Sequence, residues 1–154
     1  MAAEKLKSFL NSRGIKYVTI RHSPAFTAPE IAASSDIPGR IFAKTVVVEI
    51  DGELALVVLP ANRKIILSDL RDLFADPDVK LAAEDEFMER FPDCELGAMP
   101  PFGNLYGLPV YIAQSFVEER EIAFNAGTHH EVIKMSFDDF DRLVHPLVLD
   151  FATI

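Results

Sequence analysis

Cysteine is almost absent from this chain of 154 residues, which contains Cys94 alone. One cysteine excludes an intramolecular disulfide and any metal site built from several cysteines, so a reducing compartment is expected. Long hydrophobic runs are missing as well, because no apolar segment is long enough to span a bilayer and the N-terminal residues lack a signal-peptide core. The sequence therefore predicts a cytoplasmic protein with no membrane partner.

Positive charge is scarce, since 15 Lys and Arg residues stand against 24 Asp and Glu residues, for a net charge of −9. This balance argues against general DNA binding, which depends on basic side chains that neutralise phosphates. RNA binding stays open where basic residues gather locally, and it is then expected to be modest and sensitive to salt. The candidate basic residues are Arg21, Arg40, Lys44, Arg63, Lys64 and Lys134, and most of them lie near predicted strand ends.

Several familiar site patterns are missing too. The chain has no glycine motif of the P-loop or dinucleotide-binding type. The adjacent pair His129-His130 lacks the spacing of metal ligands, and Cys94 has no neighbouring base or helix start that would activate its thiol. We therefore expect neither a metal nor a cofactor.

The most strand-like run is residues 41–50, which are β-branched and apolar over most of their length. It ends in Asp51-Gly52, a strong signal for a two-residue hairpin turn. The returning arm is residues 53–59, and it is apolar on both faces. We expect other layers of structure to cover both sides of this hairpin.

A single lysine interrupts one face of the first arm, where Lys44 stands between Phe42 and Val46. A lysine in a central strand must bring its ammonium group to water, to a counter-charge or to a ligand. The strand alone favours an ammonium that reaches solvent along a buried stem. A ligand-binding lysine is the alternative, and other parts of the chain have to support it.

Short helices and further strands surround this hairpin. Helices are predicted over residues 3–13, from an N-cap at Thr27, from an N-cap at Ser68, over residues 83–91, and from an N-cap at Ser136. Strands are predicted over residues 17–22, 79–82, 109–113, 121–124 and 131–135. No repeat or linker divides residues 1–154, so we expect a single α+β domain with a mixed, mostly antiparallel, barrel-like sheet and flanking helices.

Two irregular loops stand out from these elements. Residues 97–103 contain two glycines and two prolines, which make a stiff loop, and residues 125–130 connect two predicted strands. Glycine-rich loops beside strand ends expose backbone N–H groups that can hold a carbonyl oxygen or a developing oxyanion. A lysine nearby could bind phosphate or a carbonyl group. Together with Lys44, the loops predict a pocket for a polar, phosphorylated ligand.

Four segments, in this order, resemble the YbaK/prolyl-tRNA synthetase-associated domain family of trans-editing aminoacyl-tRNA deacylases. They are His22-Ser23-Pro24-Ala25-Phe26-Thr27, Phe42-Ala43-Lys44-Thr45, Gly97-Ala98-Met99-Pro100-Pro101-Phe102-Gly103 and Asn125-Ala126-Gly127-Thr128-His129. The resemblance spans almost the whole chain. It implies hydrolysis of the ester between a wrong amino acid and tRNA. The implied partner is the 3′-terminal aminoacyl-adenosine of a mischarged tRNA, with prolyl-tRNA synthetase as a further candidate.

The same resemblance implies roles for particular residues. In the family the strand lysine, here Lys44, places the aminoacyl-adenosine, and the proline/glycine loop lines the amino-acid pocket and offers N–H groups to the carbonyl. Lys44 and Gly103 are thus the implied catalytic residues. The implied substrate-binding residues are Phe26, Thr27, Thr45, Gly97, Ala98, Met99, Pro100, Pro101, Phe102, Gly127, Thr128 and His129.

The amino acid that is removed stays open on the sequence. Thr45 follows the lysine as in cysteine-type editors, whereas residues 99–102 differ from the loop of that type. Our expectation is a small amino acid, alanine or one near its size, removed in trans from tRNA(Pro). Two alternatives remain: a hydrolase of another small activated ester, and a non-catalytic module that binds aminoacyl-tRNA or a synthetase.

Overall fold

The computed structural model of the protein describes residues 2–21 and 37–153. The strands are β1 (Tyr17–Arg21), β2 (Phe42–Ile50), β3 (Glu53–Pro60), β4 (Lys64–Ile65), β5 (Lys80–Leu81), β6 (Val110–Ala113), β7 (Glu121–Asn125), β8 (Glu131–Ser136), β9 (Leu147–Leu149) and β10 (Ala152–Thr153). The α-helices are α1 (Ala2–Ser12), α2 (Leu67–Phe74), α3 (Glu84–Phe87) and α4 (Phe137–Val144). Short 3₁₀ helices cover Met88–Arg90, Gly103–Leu105 and Gln114–Glu118.

Eight strands form one mixed sheet in the order β1-β8-β7-β2-β3-β6-β9, with β5 paired to β2 beside this path. The pairs β2–β7, β3–β6 and β6–β9 are parallel, and the other pairs are antiparallel. The predicted α+β class and mixed sheet are confirmed. The barrel-like character stops short of closure, because in the described part of the chain β1 and β9 are opposite edges of an open sheet. A barrel would need a tilt and stagger that join these edges.

The predicted hairpin forms between β2 and β3. Asp51 has φ +51° and Gly52 has φ +77°, and two successive residues at positive φ make the two-residue turn whose twist matches the strands. The antiparallel register runs from Ile50 opposite Glu53 to Ala43 opposite Pro60. Lys44 therefore lies near the end of β2 that is distant from the turn.

The first helix lies within one residue of its predicted bounds, and the last helix begins at its predicted cap. Helix α1 buries Leu6 and Leu10, and Gly14, with φ +68°, follows its end. Ser136 caps α4, because its Oγ accepts a hydrogen bond from the backbone N–H of Asp139 at 3.3 Å. None of the helices in residues 2–21 and 37–153 is long and apolar enough to cross a membrane.

Two helix predictions need correction. Ser68 is not the cap of α2, since the helix starts at Leu67 and no side chain caps its N-cap residue, Ile66. The start lies earlier because the N–H of Ile66 bonds to the carbonyl of Phe151, a contact between distant parts of the chain. The helix predicted over residues 83–91 divides into α3 and a 3₁₀ turn. The helix predicted from Thr27 lies outside the described residues.

Aromatic side chains build the core beside one face of the sheet. The ring of Phe102 lies 5.3 Å from those of Phe124 in β7 and Phe140 in α4, and Phe9 of α1 packs against it at 6.2 Å. These edge-to-face contacts are favourable geometries for aromatic rings. Phe102 thereby ties the proline/glycine loop to the sheet.

Candidate active site

Lys44 lies on β2 directly opposite Leu59 of β3 and is half-buried. Burial lowers the pKa of its ammonium group from the ordinary lysine value, and the like charge of Lys64 lowers the pKa further. Both effects disfavour a cation, because water is partly excluded and a second cation is near. An anionic ligand placed here would favour the charged form of Lys44 again.

Strand pairing brings Lys44 to the second irregular loop. The parallel register of β2 and β7 sets Phe42 beside Ala123 and Ala43 beside Phe124. Continued by one residue, this register sets Lys44 beside Asn125, the last residue of β7, after which the loop of residues 126–130 begins. Neighbouring strands lie about 4.8 Å apart. The lysine and the start of the loop are therefore adjacent across the sheet.

The two irregular loops are bonded to each other. The N–H of Glu95 donates to the carbonyl of Gly127 at 2.8 Å, and the N–H of Gly127 donates to the carbonyl of Ala98 at 2.9 Å. Such paired backbone bonds hold irregular segments nearly as firmly as a short stretch of sheet. The structure thus brings Gly97, Ala98 and Gly127 of the predicted site close together.

His129 strengthens this junction. Its ring is buried, with 6% of the residue exposed, and its Nε2 lies 2.7 Å from the carbonyl oxygen of Leu96. A carbonyl only accepts, so Nε2 carries the proton and donates. The carboxylate of Glu95 lies 4.0 Å from the same nitrogen and accepts from the backbone N–H of His129 at 3.4 Å. His129 therefore fixes the loop of residues 95–98 through its side chain and its main chain.

Gly97 lies beside the ring of His129 and has a backbone conformation that favours glycine. Its φ is +83°, a region that favours glycine, and a Cβ added there would lie 3.5 Å from Cε1 of His129. Gly97 is also exposed, whereas residues 98–103 are all buried. The open part of this loop is therefore its glycine corner, beside the histidine.

Packing explains why the last two residues of the same loop are Phe102 and Gly103. The side chain of Phe102 lies in the aromatic core, away from solvent. A Cβ on Gly103 would come within 2.2 Å of the carbonyl oxygen of Leu108, so only glycine fits. Its own carbonyl accepts from the N–H groups of Tyr106 and Leu108 at 2.9 Å each. Phe102 and Gly103 have clear structural roles, and their predicted functional roles stay predictions.

Two buried polar atoms near Lys44 have no hydrogen-bond partner among the described residues. One is Oγ1 of Thr45, and the other is Oδ1 of Asn125. Thr45 belongs to the predicted site, whereas Asn125 was read only as part of a motif. The signal in the sequence was an asparagine directly after the apolar strand residues Ala123 and Phe124, a position where asparagine is disfavoured.

The remaining predicted residues fall into two groups. Thr128 is half-buried, and its hydroxyl accepts from the backbone N–H of His130 at 3.4 Å, which closes a local turn. Phe26 and Thr27 lie outside the described residues. In the described part of the chain, no group of three or more His, Cys, Asp or Glu residues could hold a metal ion.

The fold and the site define a class: an α+β domain in which the strand that carries Lys44 pairs with the strand leading into two bonded loops. Comparison with known families identifies the family within this class. The model of the aminoacyl-tRNA editing domain matches residues 22–143, and the chain belongs to this family.

Individual proteins are similar to this chain in sequence or in fold. The multifunctional Ser/Thr-tRNA deacylase ProXp-y of Escherichia coli strain K12 is 27% identical over 157 residues, which cover 96% of this chain and 91% of the relative. The crystal structure of a candidate trans-editing enzyme for prolyl-tRNA synthetase superposes with a TM-score of 0.82 at 22% identity, over 99% of this chain and 98% of that one. A protein described only as hypothetical gives a TM-score of 0.84 at 20% identity, over 97% and 99% of the two chains.

Proposed function

We propose that this protein hydrolyses the ester bond of a mischarged aminoacyl-tRNA. The observation that carries the proposal is the half-buried Lys44, whose pKa is lowered and whose strand pairs with the strand that leads into the bonded loops. Membership of the aminoacyl-tRNA editing family supports it, as does the name of the curated relative, a tRNA deacylase. Water attacks the ester carbonyl, the bond from carbonyl carbon to ribose oxygen breaks, and a free amino acid and uncharged tRNA leave.

Lys44 has the proposed role of holding the 3′-terminal aminoacyl-adenosine. A partly dehydrated ammonium gains more from an anionic or carbonyl partner than a hydrated one does, because the cost of removing its water is already met. Lys64 adds a second positive charge close to it. The two lysines form a local basic site on an acidic protein, which is what a phosphate-bearing ligand requires.

Backbone N–H groups have the proposed role of stabilising the oxyanion. The N–H groups of Ala98 and Gly127 already donate to backbone carbonyls, and proline has no N–H. The backbone N–H groups of the proline/glycine loop that can still serve as oxyanion donors are therefore those of residues 97, 99, 102 and 103. Of these four residues, Gly97 is exposed. An aminoacyl ester is intrinsically reactive, so oriented water and an oxyanion donor can suffice without a Ser-His-Asp triad.

The proposed substrate is a small amino acid on tRNA(Pro), edited in trans. The structural neighbour described as a candidate trans-editing enzyme for prolyl-tRNA synthetase supports the tRNA and the synthetase partner. The curated relative, named for serine and threonine, extends the proposed range from alanine to these two residues. Buried Met99, Pro100 and Pro101 restrict the space beside the loop, which is consistent with a small side chain.

The proposal is tested by single-turnover deacylation of alanyl-, seryl-, threonyl- and cysteinyl-tRNA(Pro), together with the matching free aminoacyl esters. Lys44→Ala is expected to lower the rate by about 10²–10³-fold, the effect of losing one key electrostatic contact. Lys80→Ala is the control, because Lys80 belongs to a strand paired with the other end of β2; its rate should stay within about twofold, as is usual for an exposed charge.

Other outcomes separate the alternatives. Hydrolysis of free esters without hydrolysis of any mischarged tRNA would show a hydrolase of another small ester. Binding of aminoacyl-tRNA without any turnover would show a non-catalytic module. A Lys44→Ala variant that unfolds, as judged by circular dichroism, would make the lysine structural; Lys44→Met, which keeps an apolar stem, then replaces it in the assay.

A further inference from the structure

Asn125 is a buried polar residue that the fold does not explain. Only 6% of it is exposed, and its Oδ1 finds no hydrogen-bond partner within the described residues. Its backbone takes part in the β7–β8 pairing, opposite Val132. More than nine in ten buried polar groups in folded proteins have a partner, so an amide oxygen with none among the described residues is a candidate contact for a bound ligand.

The position of Asn125 in the sheet links it to the proposed site. Because Ala123 pairs with Phe42, the side chain two residues further along β7 shares a sheet face with Lys44. With the β2–β7 register extended one residue past its last pair, Ala43 with Phe124, the row across this face runs Val132, Asn125, Lys44, Leu59. The lysine and the asparagine are its polar members, side by side between apolar residues. Lys44 is half-exposed, so a ligand can enter this row from the lysine side.

Other unpartnered atoms do not have this combination. Oγ1 of Thr45 is buried, but strand alternation turns it to the opposite face. Oγ of Ser115 lies in a 3₁₀ helix outside the site. Asn125 alone among these three residues is more than nine-tenths buried and shares the face of the lysine. Leaving such an oxygen unpaired costs the folded protein stability, and a ligand that donates a hydrogen bond to it would recover that stability.

We propose that Asn125 is a substrate-binding residue whose amide oxygen accepts a hydrogen bond from the aminoacyl-adenosine end held at Lys44. The inference rests on the proposed deacylase function and adds a residue to it. Two donors of the substrate have the required chemistry, the free hydroxyl of the terminal ribose and the α-ammonium group of the amino acid. A neutral amide suits this place, because it accepts without neutralising the adjacent lysine as a carboxylate would.

The test replaces Asn125 by leucine, which has nearly the same shape and no polar atom. Asn125→Leu is expected to lower kcat/KM for mischarged tRNA by about 10–100-fold, the usual effect of losing a hydrogen bond to a charged or buried partner. Its thermal unfolding midpoint should stay the same or rise by about 2–4 °C, because an unpaired buried oxygen has been removed. Asn104→Leu is the matched control at an exposed position, and it should leave kcat/KM unchanged.

Each result decides the matter. Lower activity with an unchanged or higher midpoint supports the inference. Activity within about twofold of the wild type, or a lower midpoint together with lower activity, overturns it, since the second pattern means that the amide supports the fold. A wild-type protein that deacylates no mischarged tRNA overturns the proposed function itself and the inference with it, and this is seen before any variant is compared.

A second substrate separates the two donors. The ratio of wild-type to Asn125→Leu rates is measured again on mischarged tRNA that ends in 2′-deoxyadenosine. A ratio that falls to about one identifies the ribose hydroxyl, because the wild type has then lost the same bond. A ratio that persists identifies the α-ammonium group. Both results support a substrate contact at Asn125.

Discussion

The two ends of strand β2 differ in charge and in the space beside them. At one end, Lys44 lies close to Lys64, and β2 pairs with β7, the strand that leads into the loop of residues 126–130. At the other end, next to the hairpin turn, a cleft of about 490 Å³ opens between the turn, α2 and Tyr111. A second cleft of about 320 Å³ lies beside it. Its lining consists of the acidic residues Glu49, Asp51, Asp76 and Asp78 together with Gly52 and Lys80.

Cleft volume favours one end of β2 as the ligand site, and the charge that the ligand requires favours the other end. Size alone would place a ligand at the hairpin end. A tRNA end carries phosphates, and carboxylates such as those of Asp51, Asp76 and Asp78 repel them at short range. The lysine end offers the sign of charge that a phosphate-bearing ligand needs. We therefore place the proposed function at the lysine end and treat the hairpin end as its internal control.

The largest expected difference between the ends concerns their glycines. Gly103→Ala would force a Cβ to within 2.2 Å of the Leu108 carbonyl oxygen and 2.7 Å of Val110 Cγ2. We expect a loss of about 3 kcal/mol or more in the free energy of unfolding, as for severe overpacking. Gly52→Ala, in the turn, meets nothing within 4 Å but keeps φ +77°, so we expect about 1–2 kcal/mol. Urea unfolding measures both.

Equal losses in the free energy of unfolding for the two glycine variants would contradict this expectation. They would mean that close packing around Gly103 does not distinguish the site end from the hairpin end. Deacylation by each variant adds a second readout under conditions where both are folded. A Gly103→Ala protein that is folded and inactive would support the catalytic role predicted for Gly103, whereas retained activity would leave the glycine with packing alone.

Local signals made much of this fold predictable from the sequence. The Asp51-Gly52 turn and the Ser136 cap depend on residues within a few positions of one another, and both predictions are confirmed. The cap at Ser68 failed because a backbone bond from Ile66 to Phe151 sets the helix start. The opening of the sheet depends likewise on which distant strands pair. Sequence patterns carry little information about such long-range contacts.

The site was predictable only in part, for the same reason. Lys44 stood out because one cation interrupts an apolar strand face, and the loops stood out by their glycines and prolines. Asn125 could not be related to Lys44 without the β2–β7 register, which joins strands far apart in sequence. The ring of Phe102 packs in the aromatic core, a direction that an aromatic residue in a loop does not reveal, and its role in the pocket stays a prediction.

A smaller difference is expected between two exposed lysines, Lys64 at the site end and Lys80 at the acidic end. Lys64→Ala should slow deacylation about 3–10-fold at low salt, since one phosphate contact and its counterion release are lost. The slope of log rate against log salt should flatten by about 0.7–0.9. Lys80, which pairs with Glu49 at 3.8 Å, should change neither quantity when replaced by alanine. Rates from 50 to 300 mM salt measure both variants.

A flat salt response of the wild type would break the electrostatic part of the comparison. It would mean that a synthetase partner delivers the tRNA and that Lys64 makes no phosphate contact. Identical slopes for the Lys64→Ala and Lys80→Ala variants would have the same consequence, because the two ends would then be electrostatically equivalent toward tRNA.

The smallest expected effect belongs to Cys94, the thiol that precedes the proline/glycine loop at the site end. Burial raises the pKa of this thiol to about 11, with a further increase from Asp93, and its Sγ lies 3.4 Å from the hydroxyl of Tyr106. Since the thiolate is the reactive form, a raised pKa leaves roughly one thiol in a thousand ionised at pH 8, against about one in four for an ordinary cysteine.

Iodoacetamide at pH 8 should therefore modify Cys94 at least about 100-fold more slowly than free cysteine, and Cys94→Ser should deacylate at the wild-type rate. Rapid alkylation that abolishes activity would contradict both expectations and would put the thiol, rather than the lysine and the loop backbone, at the centre of the site.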